Sequence, residues 1–416
     1  MVPDVRADPE AITAARRARP YRVAFINTHP IQYFAPLYRM LDASGDLQVS
    51  ALYLSDFSVR GATDRAFGRV VRWDVDMLNG YDARFVAGAS QRGEPGGFFS
   101  VFAPGIWGEV RRGQFDALIV HGHTPAAHVL AIAAAKSVRT PVFMRGETHL
   151  GLVRGGVKAM LRRPLMGGLY RSIAGVLAIG TANAAFYRAM GVAEPRIFSM
   201  PYTIDNARFI AGAKLDADAR REVRRELGVD DIRPIILYVA KFQRRKRPDD
   251  LIRAARRLEE RGHAFQVVMV GSGEMDAELR ALATGLGLES IHFAGFVNQS
   301  RLPQVYSASD VFVLPSSDEP WGLAINEAMC AGLPIVASRE VGCGPDLVRE
   351  GVNGASIRAG DIVGLASALA PLLQSDELRA CMGQASREIV SRWSYEECRQ
   401  GLLAALDQTV GRRSDG

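Results

Sequence analysis

Four polar clusters in the second half of the chain each follow a short apolar run that is typical of a buried strand. The first cluster carries five cations within residues 241–247, directly before Pro248. Cations beside a helix N-terminus can neutralise a diphosphate, and the helix dipole adds to the attraction. Lys241 and Lys246 are therefore candidate phosphate ligands, although a basic loop of this kind is also common on solvated surfaces.

Two further clusters are weaker indications of a ligand site. Gly271 and Gly273 form a short turn after an apolar run, where backbone N–H groups can approach a ligand closely. A plain strand-to-helix turn is the simpler interpretation of that pattern. Phe296 and Val297 follow the next run, and they could form an apolar wall beside a nucleobase.

The fourth cluster, residues 315–328, is the most informative. Pro320 fits the first position of a helix, which would place the Glu319 carboxylate just outside the helix N-terminus. Backbone N–H groups at such a helix start can bind sugar hydroxyls or phosphate oxygens. The residues expected to supply them are Trp321, Gly322 and Leu323. Glu327 would lie about two turns further on, where a carboxylate can accept both hydroxyls of a ribose.

Short apolar runs alternate with amphipathic stretches along almost the whole chain, and this alternation predicts an α/β fold with a doubly wound parallel sheet in each half. Ligands in such sheets bind beyond the carboxyl ends of the strands. The predicted strands are Tyr21–Asn27, Leu47–Ser55, Ala117–Gly122, Pro141–Glu147, Gly175–Gly180, Arg196–Pro201, Pro234–Lys241, Phe265–Gly271, Ser290–Val297, Val311–Ser316 and Pro334–Ser338.

The domain organisation follows from these runs and from the length of 416 residues. We expect a disordered leader over residues 1–19 and an N-terminal acceptor-side domain over residues 20–205. A nucleotide-sugar-binding domain should span residues 206–392, and a C-terminal helix in 393–416 should cross back to the first domain.

The residue order in the second half resembles that of the retaining glycosyltransferases of family four, the glycosyl transferases group 1. Glu319 and Glu327 match the E-x7-E motif of that family, and Lys241 and Lys246 match its diphosphate clamp. The resemblance covers residues 200–395 well. It implies the GT-B architecture of two Rossmann-like domains facing a cleft, retention of anomeric configuration and no required metal or cofactor. The implied donor is a nucleoside-diphosphate sugar, with UDP or GDP as the nucleotide, and the implied acceptor is a hydroxyl group.

The first half resembles the family more loosely. His121, at the end of a predicted strand, matches the histidine that many members have beside the donor sugar, and His123 is the alternative. The resemblance implies that Glu319 and His121 hold the sugar and that Glu327 holds the ribose. Polar residues after other strands are candidate acceptor contacts. These are His29, Gln32, Tyr33, His123, Glu147 and His149.

Composition excludes several other classes. An apolar content of 48% excludes a disordered chain, and the spacing of the four cysteines argues against both a zinc site and a disulfide framework. Without a long apolar segment or a signal peptide, we expect a cytoplasmic protein. The basic stretch 154–171 predicts either peripheral contact with the inner membrane face or an ordinary helix packed on the sheet.

Three other functions stay open from the sequence. A phosphorylase or nucleotide-sugar epimerase could use the same fold, and a catalytically silent partner subunit could keep it, although the intact clamp and both glutamates argue against the latter. The net charge of +6 would suit nucleic acid, but no aromatic residues interleave the basic loop, so no nucleic-acid partner is expected. The lone D-x-D match, Asp74-Val-Asp76, falls in an apparently irregular segment and predicts no metal site.

Overall fold

A computed structural model describes residues 19–61, 63–64, 69–70, 72–88, 97–122, 125–153 and 157–411. For residues 63, 64, 69, 157–163 and 165 it describes the backbone alone. Most of the expected leader lies outside these residues. The chain forms two parallel sheets, one from each half, with helices packed on their faces.

The first half contributes a seven-stranded sheet in the order β5-β2-β1-β6-β7-β8-β9, together with a small antiparallel pair, β3-β4. Its strands are β1 (Tyr21–Asn27), β2 (Leu47–Tyr53), β3 (Thr63–Asp64), β4 (Arg69–Val70), β5 (Asp82–Phe85), β6 (Ala117–His121), β7 (Val142–Arg145), β8 (Gly175–Ala178) and β9 (Ile197–Ser199). Its helices are α1 (Phe34–Ala43), α2 (Gly105–Arg112), α3 (Ala126–Ser137), α4 (Val157–Ser172) and α5 (Thr181–Ala189).

The second half contributes a six-stranded parallel sheet in the order β12-β11-β10-β13-β14-β15. Its strands are β10 (Ile235–Val239), β11 (Gln266–Val270), β12 (Ile291–Gly295), β13 (Val311–Leu314), β14 (Ile335–Ser338) and β15 (Gly354–Ile357). Its helices are α6 (Asn206–Gly212), α7 (Ala217–Glu226), α8 (Pro248–Glu260), α9 (Asp276–Gly285), α10 (Leu302–Ala308), α11 (Leu323–Ala331), α12 (Gly344–Leu347), α13 (Ile362–Gln374), α14 (Asp376–Val390) and α15 (Tyr395–Leu406).

All eleven predicted strands are present, mostly with shorter ends, and α8 begins at Pro248 as expected. The central strands β10 and β11 are buried along nearly their whole length, because helices cover both faces of the sheet. Two strands at the sheet edges, β5 and β15, were not predicted from the sequence. Their sequences, Asp-Ala-Arg-Phe and Gly-Ala-Ser-Ile, lack the apolar run that marks a central strand.

Each sheet reverses its strand order beside its first strand. β1 lies between β2 and β6, and β10 lies between β11 and β13. At such a switch point the neighbouring connections run to opposite faces and leave a crevice beyond the strand ends. The loops after β1 and β10, residues 28–33 and 240–247, therefore lie at the crevices of the two sheets.

The end of the chain returns to the first sheet. α15 packs on β9 and α1, and the Cys398 Sγ atom lies 3.0 Å from the carbonyl oxygen of Pro201. Just before this helix, the carbonyl of Trp393 accepts hydrogen bonds from Thr203 and, at 3.0 Å, from the Asn206 amide. These contacts connect the segment between the two sheets to the end of the chain.

The basic stretch 154–171 falls mostly in α4, and its residues 154–156 lie outside the described part. Towards the end of α4, Met166 and Leu169 pack against the core of the first sheet, and Tyr170 is buried beside Phe186 and Tyr187. This end of the helix therefore packs on the sheet. Among the described residues, no helix combines the length and the apolar character needed to span a membrane.

Candidate active site

A cavity of about 650 Å³ lies between the two sheets and is lined by the loops that follow β1 and β10. Fourteen of the predicted site residues line it. From the first half these are His29, Gln32, Tyr33 and Glu147; from the second half they are Lys241, Lys246, Gly271, Phe296, Val297, Glu319, Trp321, Gly322, Leu323 and Glu327. The topology thus brings together side chains that are almost 300 residues apart in the sequence.

The basic loop after β10 meets the loop after β13 inside this cavity. The Lys246 ammonium forms an ion pair with the Glu319 carboxylate, and only 11% and 10% of the two side chains are exposed. Burial lowers the pKa of Lys246 below its usual 10.5, and nearby Arg245 and Lys241 act in the same direction, whereas Glu319 opposes the shift. The cavity therefore contains a cation that is only partly hydrated and close to two others.

Arg245 also lines the cavity, although no functional role was predicted for it from the sequence. Its guanidinium donates to the carbonyl of Asp318 at 3.0 Å and to the Gln243 side chain at 3.1 Å, which holds the basic loop against the loop after β13. Arg244, its neighbour, instead pairs with Glu278 at 3.1 Å on the outer surface. The cations of one loop thus divide between the cavity and solvent.

The prediction that Pro320 begins a helix is wrong. α11 begins at Leu323, after Gly322, whose φ of 100° is in the left-handed region. The expected donor set therefore shifts by two to three residues, because the free N–H groups of a helix are those of its first turn. Leu323 and Ala324 occupy that turn and line the cavity, so the helix start still faces a ligand there.

Trp321 forms part of the cavity wall but is almost fully buried. Its indole N–H donates to Asn326 Oδ1 at 3.0 Å, and its ring packs 5.3 Å from that of Trp393 and 6.3 Å from that of Tyr202. Because its polar atom is already bound within the protein, Trp321 can offer a ligand an apolar ring edge.

Glu327 is buried at the start of α11's second turn, and both of its carboxylate oxygens accept hydrogen bonds. Tyr33 donates to Oε1 at 2.9 Å and Tyr306 donates to Oε2 at 2.7 Å. Burial raises the pKa of Glu327 above its usual 4.5, and the two hydroxyl donors counteract the shift. Tyr306 had no signal in the sequence, because nothing in its local pattern indicates a partner on another helix.

The two glycines after β11 have different surroundings. Gly271 lines the cavity, and a Cβ atom added to it would lie 2.0 Å from the carbonyl oxygen of Ala240. Gly273 is not among the cavity-lining residues, and an added Cβ would lie 2.6 Å from the carbonyl oxygen of Phe242. The structure therefore gives Gly273 a packing role against the basic loop and brings only Gly271 to the cavity.

An aromatic pair closes the end of the cavity where Phe296 and Val297 follow β12. The ring of Trp73, from the first half, lies 6.0 Å from that of Phe296. Nearby, the Asn298 side chain donates to the carbonyl of Arg72 at 2.8 Å. Trp73 lines the cavity but was not predicted as a site residue. A single tryptophan in an irregular segment indicates no particular ligand.

The predicted histidines of the first half differ in position. His29 lines the cavity, with its ring edge-on to Phe57 at 5.9 Å. His121 is not a lining residue; it packs against the Phe34 ring at 4.5 Å and lies 3.1 Å from the Tyr38 hydroxyl. Burial lowers the pKa of His121 well below its usual 6.5. A role for it beside the donor sugar stays a prediction, and its alternative, His123, lies outside the described residues.

The loop after β7 places Glu147 and His149 on different sides of the cavity wall. Glu147 faces the cavity, where burial raises the pKa of its carboxyl above 4.5 against the effects of Tyr202 and Arg145. His149 is buried behind Glu319. Its Nδ1 accepts from the Gly151 N–H at 3.2 Å, so Nε2 carries the proton and donates to the Glu319 carbonyl at 3.1 Å. His149 thus holds the loop after β13 and does not line the cavity, and an acceptor contact for it stays a prediction.

Comparison with known families matches both halves of the chain. A model described as glycosyl transferases group 1 matches residues 219–389, which contain all six strands of the second sheet. A model described as a glycosyl transferase 4-like domain matches residues 29–203 of the first half. The chain belongs to the group 1 glycosyltransferases. The resemblance inferred from the sequence is thereby confirmed.

Curated relatives are similar to about half of the chain. The D-inositol 3-phosphate glycosyltransferase of Xylanimonas cellulosilytica is 32% identical over 231 residues, which cover 54% of each chain. The N-acetyl-alpha-D-glucosaminyl L-malate synthase of Bacillus anthracis is 28% identical over 190 residues, covering 45% of this chain and 48% of the relative. The chain spans about half the length of the curated relatives that it matches.

The fold is shown by a structure of Anabaena Alr3699/HepE in complex with UDP and glucose. It matches with a TM-score of 0.71 and 20% identity, over 93% of this chain and all of the other. The glycosyltransferase therefore has the GT-B fold, as expected, with two Rossmann-like domains facing a central cleft.

In the D-x-D match, Asp74 contacts the other half of the chain and Asp76 contacts its own loop. Asp74 accepts hydrogen bonds from the backbone N–H and the hydroxyl of Ser300, in the other half of the chain. Asp76 accepts from the backbone N–H groups of Leu78 and Asn79 at 3.1 and 3.2 Å. Within the described ranges, no group of three or more His, Cys, Asp or Glu side chains is arranged to hold a metal ion.

Proposed function

We propose that this glycosyltransferase transfers a sugar from a nucleoside-diphosphate sugar to an acceptor hydroxyl, with retention of anomeric configuration. The observation that carries the proposal is the meeting of Lys246 and Glu319 in the cavity between the two sheets, beside the start of α11. A cation, a carboxylate and a helix N-terminus in one cleft suit a ligand that combines a diphosphate with a sugar.

Lys241 and Lys246 would bind the donor diphosphate and stabilise the charge that develops on it as the glycosidic bond breaks. The first-turn N–H groups of α11, at Leu323 and Ala324, would add fixed dipoles pointing the same way. These groups are held in place before the reaction, so they need little reorganisation as the charge develops.

The sugar and the nucleoside would lie on either side of the diphosphate. Glu319 would accept hydrogen bonds from sugar hydroxyls, and Glu327 would accept those of the ribose. Phe296 and Val297, with Trp73 across the cleft, provide apolar contacts suited to a flat nucleobase. UDP is the first nucleotide to test, because the Anabaena neighbour was solved with it.

Retention would follow from attack on the same face from which the diphosphate leaves. The departing diphosphate oxygen can then accept the proton of the acceptor hydroxyl, so no strong protein base is required. The acceptor would approach from the first domain, whose cavity-lining groups include His29, Gln32 and Glu147. Closure of the cleft would limit attack by water.

The proposal is tested in two steps. Calorimetric titration with UDP and with GDP should detect binding of one of them to the full chain. A screen of the corresponding nucleotide sugars with sugar and polyol acceptors should then give a product whose anomeric proton coupling matches the donor's, in buffer with and without EDTA. Inversion would contradict the same-face mechanism. Loss of activity in EDTA would show that the two lysines do not replace a metal.

A further inference from the structure

The carboxylate proposed to bind the ribose is already occupied by two tyrosine hydroxyls. Tyr306 donates to Glu327 from within the same domain and is fully buried. Tyr33 donates from the other domain and lines the cavity. A ribose hydroxyl that reached Glu327 would therefore meet the position that Tyr33 now holds.

The polar contacts of the Tyr33 backbone and of its side chain go to different partners. Its carbonyl accepts a hydrogen bond from the Tyr395 hydroxyl at 3.2 Å, and it directly precedes α1. Its own hydroxyl also lies 3.4 Å from the Gln299 amide, which is a long contact. The bond to Glu327 is thus the main polar contact that holds this side chain across the cleft.

We infer that Tyr33 occupies the ribose-binding carboxylate in the free protein and is displaced from it by the nucleotide, so that donor binding changes the acceptor side of the cleft. This rests on the proposed function. The hydroxyl of Tyr33 and those of a ribose are all hydrogen-bond donors, and Glu327 Oε1 is the acceptor for which they would compete. The displaced ring enters the space beside Gln32 and His29, the neighbouring residues of the same loop.

Two consequences follow from this exchange. Nucleotide affinity is lower than the ribose contacts alone would give, because the hydrogen bond from Tyr33 to Glu327 must break before a ribose hydroxyl can replace it. Binding is also ordered, with the donor before the acceptor, because the loop 28–33 reaches its acceptor-binding arrangement only after Tyr33 has left Glu327.

The test compares Tyr33→Phe with the unmodified protein and with Tyr306→Phe, which removes the other hydroxyl from the same carboxylate. Each is titrated calorimetrically with UDP, or with GDP if the unmodified protein prefers it, and with the 2′,3′-dideoxy form of that nucleotide. Tyr33→Phe should bind the nucleotide about threefold to tenfold more tightly, the range expected for one removed competing hydrogen bond. Its affinity for the dideoxy form should be unchanged, since that ligand cannot replace Tyr33, and Tyr306→Phe should show no gain with either.

Hydrogen exchange provides a second readout on the same proteins. In the unmodified protein, the nucleotide should speed exchange across residues 28–34, and in Tyr33→Phe it should have no such effect. Weaker or unchanged nucleotide binding by Tyr33→Phe, or an equal change for both ligands, would contradict this inference and leave the proposed function standing. If the unmodified protein bound neither UDP nor GDP, the proposed nucleotide site itself would be contradicted, and this inference with it.

Discussion

Lys246 and Glu319 form an ion pair in the cleft although each side chain is about nine-tenths buried. The two residues come from loops after β10 and β13, which are neighbours in the second sheet. In the free protein each compensates the other's charge in a poorly hydrated place, where an unpaired charge is costly. A bound donor would offer new partners to both, its diphosphate to Lys246 and its sugar hydroxyls to Glu319.

Replacement of Lys246 by alanine should weaken nucleotide binding at least tenfold. The reason is the loss of a charged hydrogen bond to the diphosphate, which typically contributes about 1.5–3 kcal/mol. Because Glu319 would also lose its partner, the melting temperature should fall, so affinity is measured by calorimetry at a temperature where the variant is folded. Arg244→Ala is the matched control, since Arg244 belongs to the same loop but pairs with Glu278 on the surface. Equal affinities for the two variants would exclude a diphosphate contact for Lys246.

The two glutamates should separate into distinct roles when each is changed to glutamine. Glu327→Gln should weaken binding of the nucleoside diphosphate even without a sugar, because it removes the negative charge that accepts the ribose hydroxyls. Glu319→Gln should leave that affinity within about threefold and reduce the rate of sugar transfer instead. Titrations with the nucleoside diphosphate, followed by transfer assays, distinguish the two. Identical behaviour would mean that one of these roles is misassigned.

Nucleotide affinity should decrease at alkaline pH, with a midpoint below the usual lysine pKa of 10.5. Burial lowers the pKa of Lys246, so as pH rises the ammonium loses its proton earlier than an exposed lysine would. Only the charged form attracts the diphosphate, and binding is therefore lost as pH rises through the lowered pKa. Lys246→Arg keeps its charge throughout and should move this loss of affinity to higher pH. Titrations between pH 7 and pH 10 provide the check, and superimposable profiles would contradict the assignment.

Gly271→Ala should destabilise the protein by more than Gly287→Ala. Both glycines have positive φ, 143° and 66°, but an added Cβ at Gly271 would lie 2.0 Å from the Ala240 carbonyl oxygen, whereas at Gly287 it would meet open space. The control variant Gly287→Ala thus introduces only backbone strain, about 1 kcal/mol. Gly271→Ala introduces a steric clash in addition to backbone strain. Chemical unfolding measures both. Gly271→Ala should also weaken nucleotide binding, since the clash would move the basic loop, and equal stabilities would show that the Ala240 carbonyl shifts freely.

The sequence by itself determined the α/β class and most strands, because strands covered on both faces must be apolar along their length, as in β10 and β11. It also indicated the basic loop and the two glutamates. The cations of that loop lie close together in the sequence, and the two glutamates are eight residues apart within one segment. The edge strands β5 and β15 were not predicted because their sequences lack an apolar run, whereas the edge strands β9 and β12 have apolar residues in the sequence and were predicted.

Only the tertiary structure decided which of those residues share a cavity and which partners they meet. The bond between Tyr33 and Glu327 joins residues 294 apart, and the packing of Gly273, the burial of His121 and the contact of His149 with Glu319 depend on how loops from different strands meet. Local pattern determines what a residue is next to along the chain. The neighbours across a cleft are determined by strand order and by the packing of two domains. Neither can be read from the residues that surround a position in the sequence.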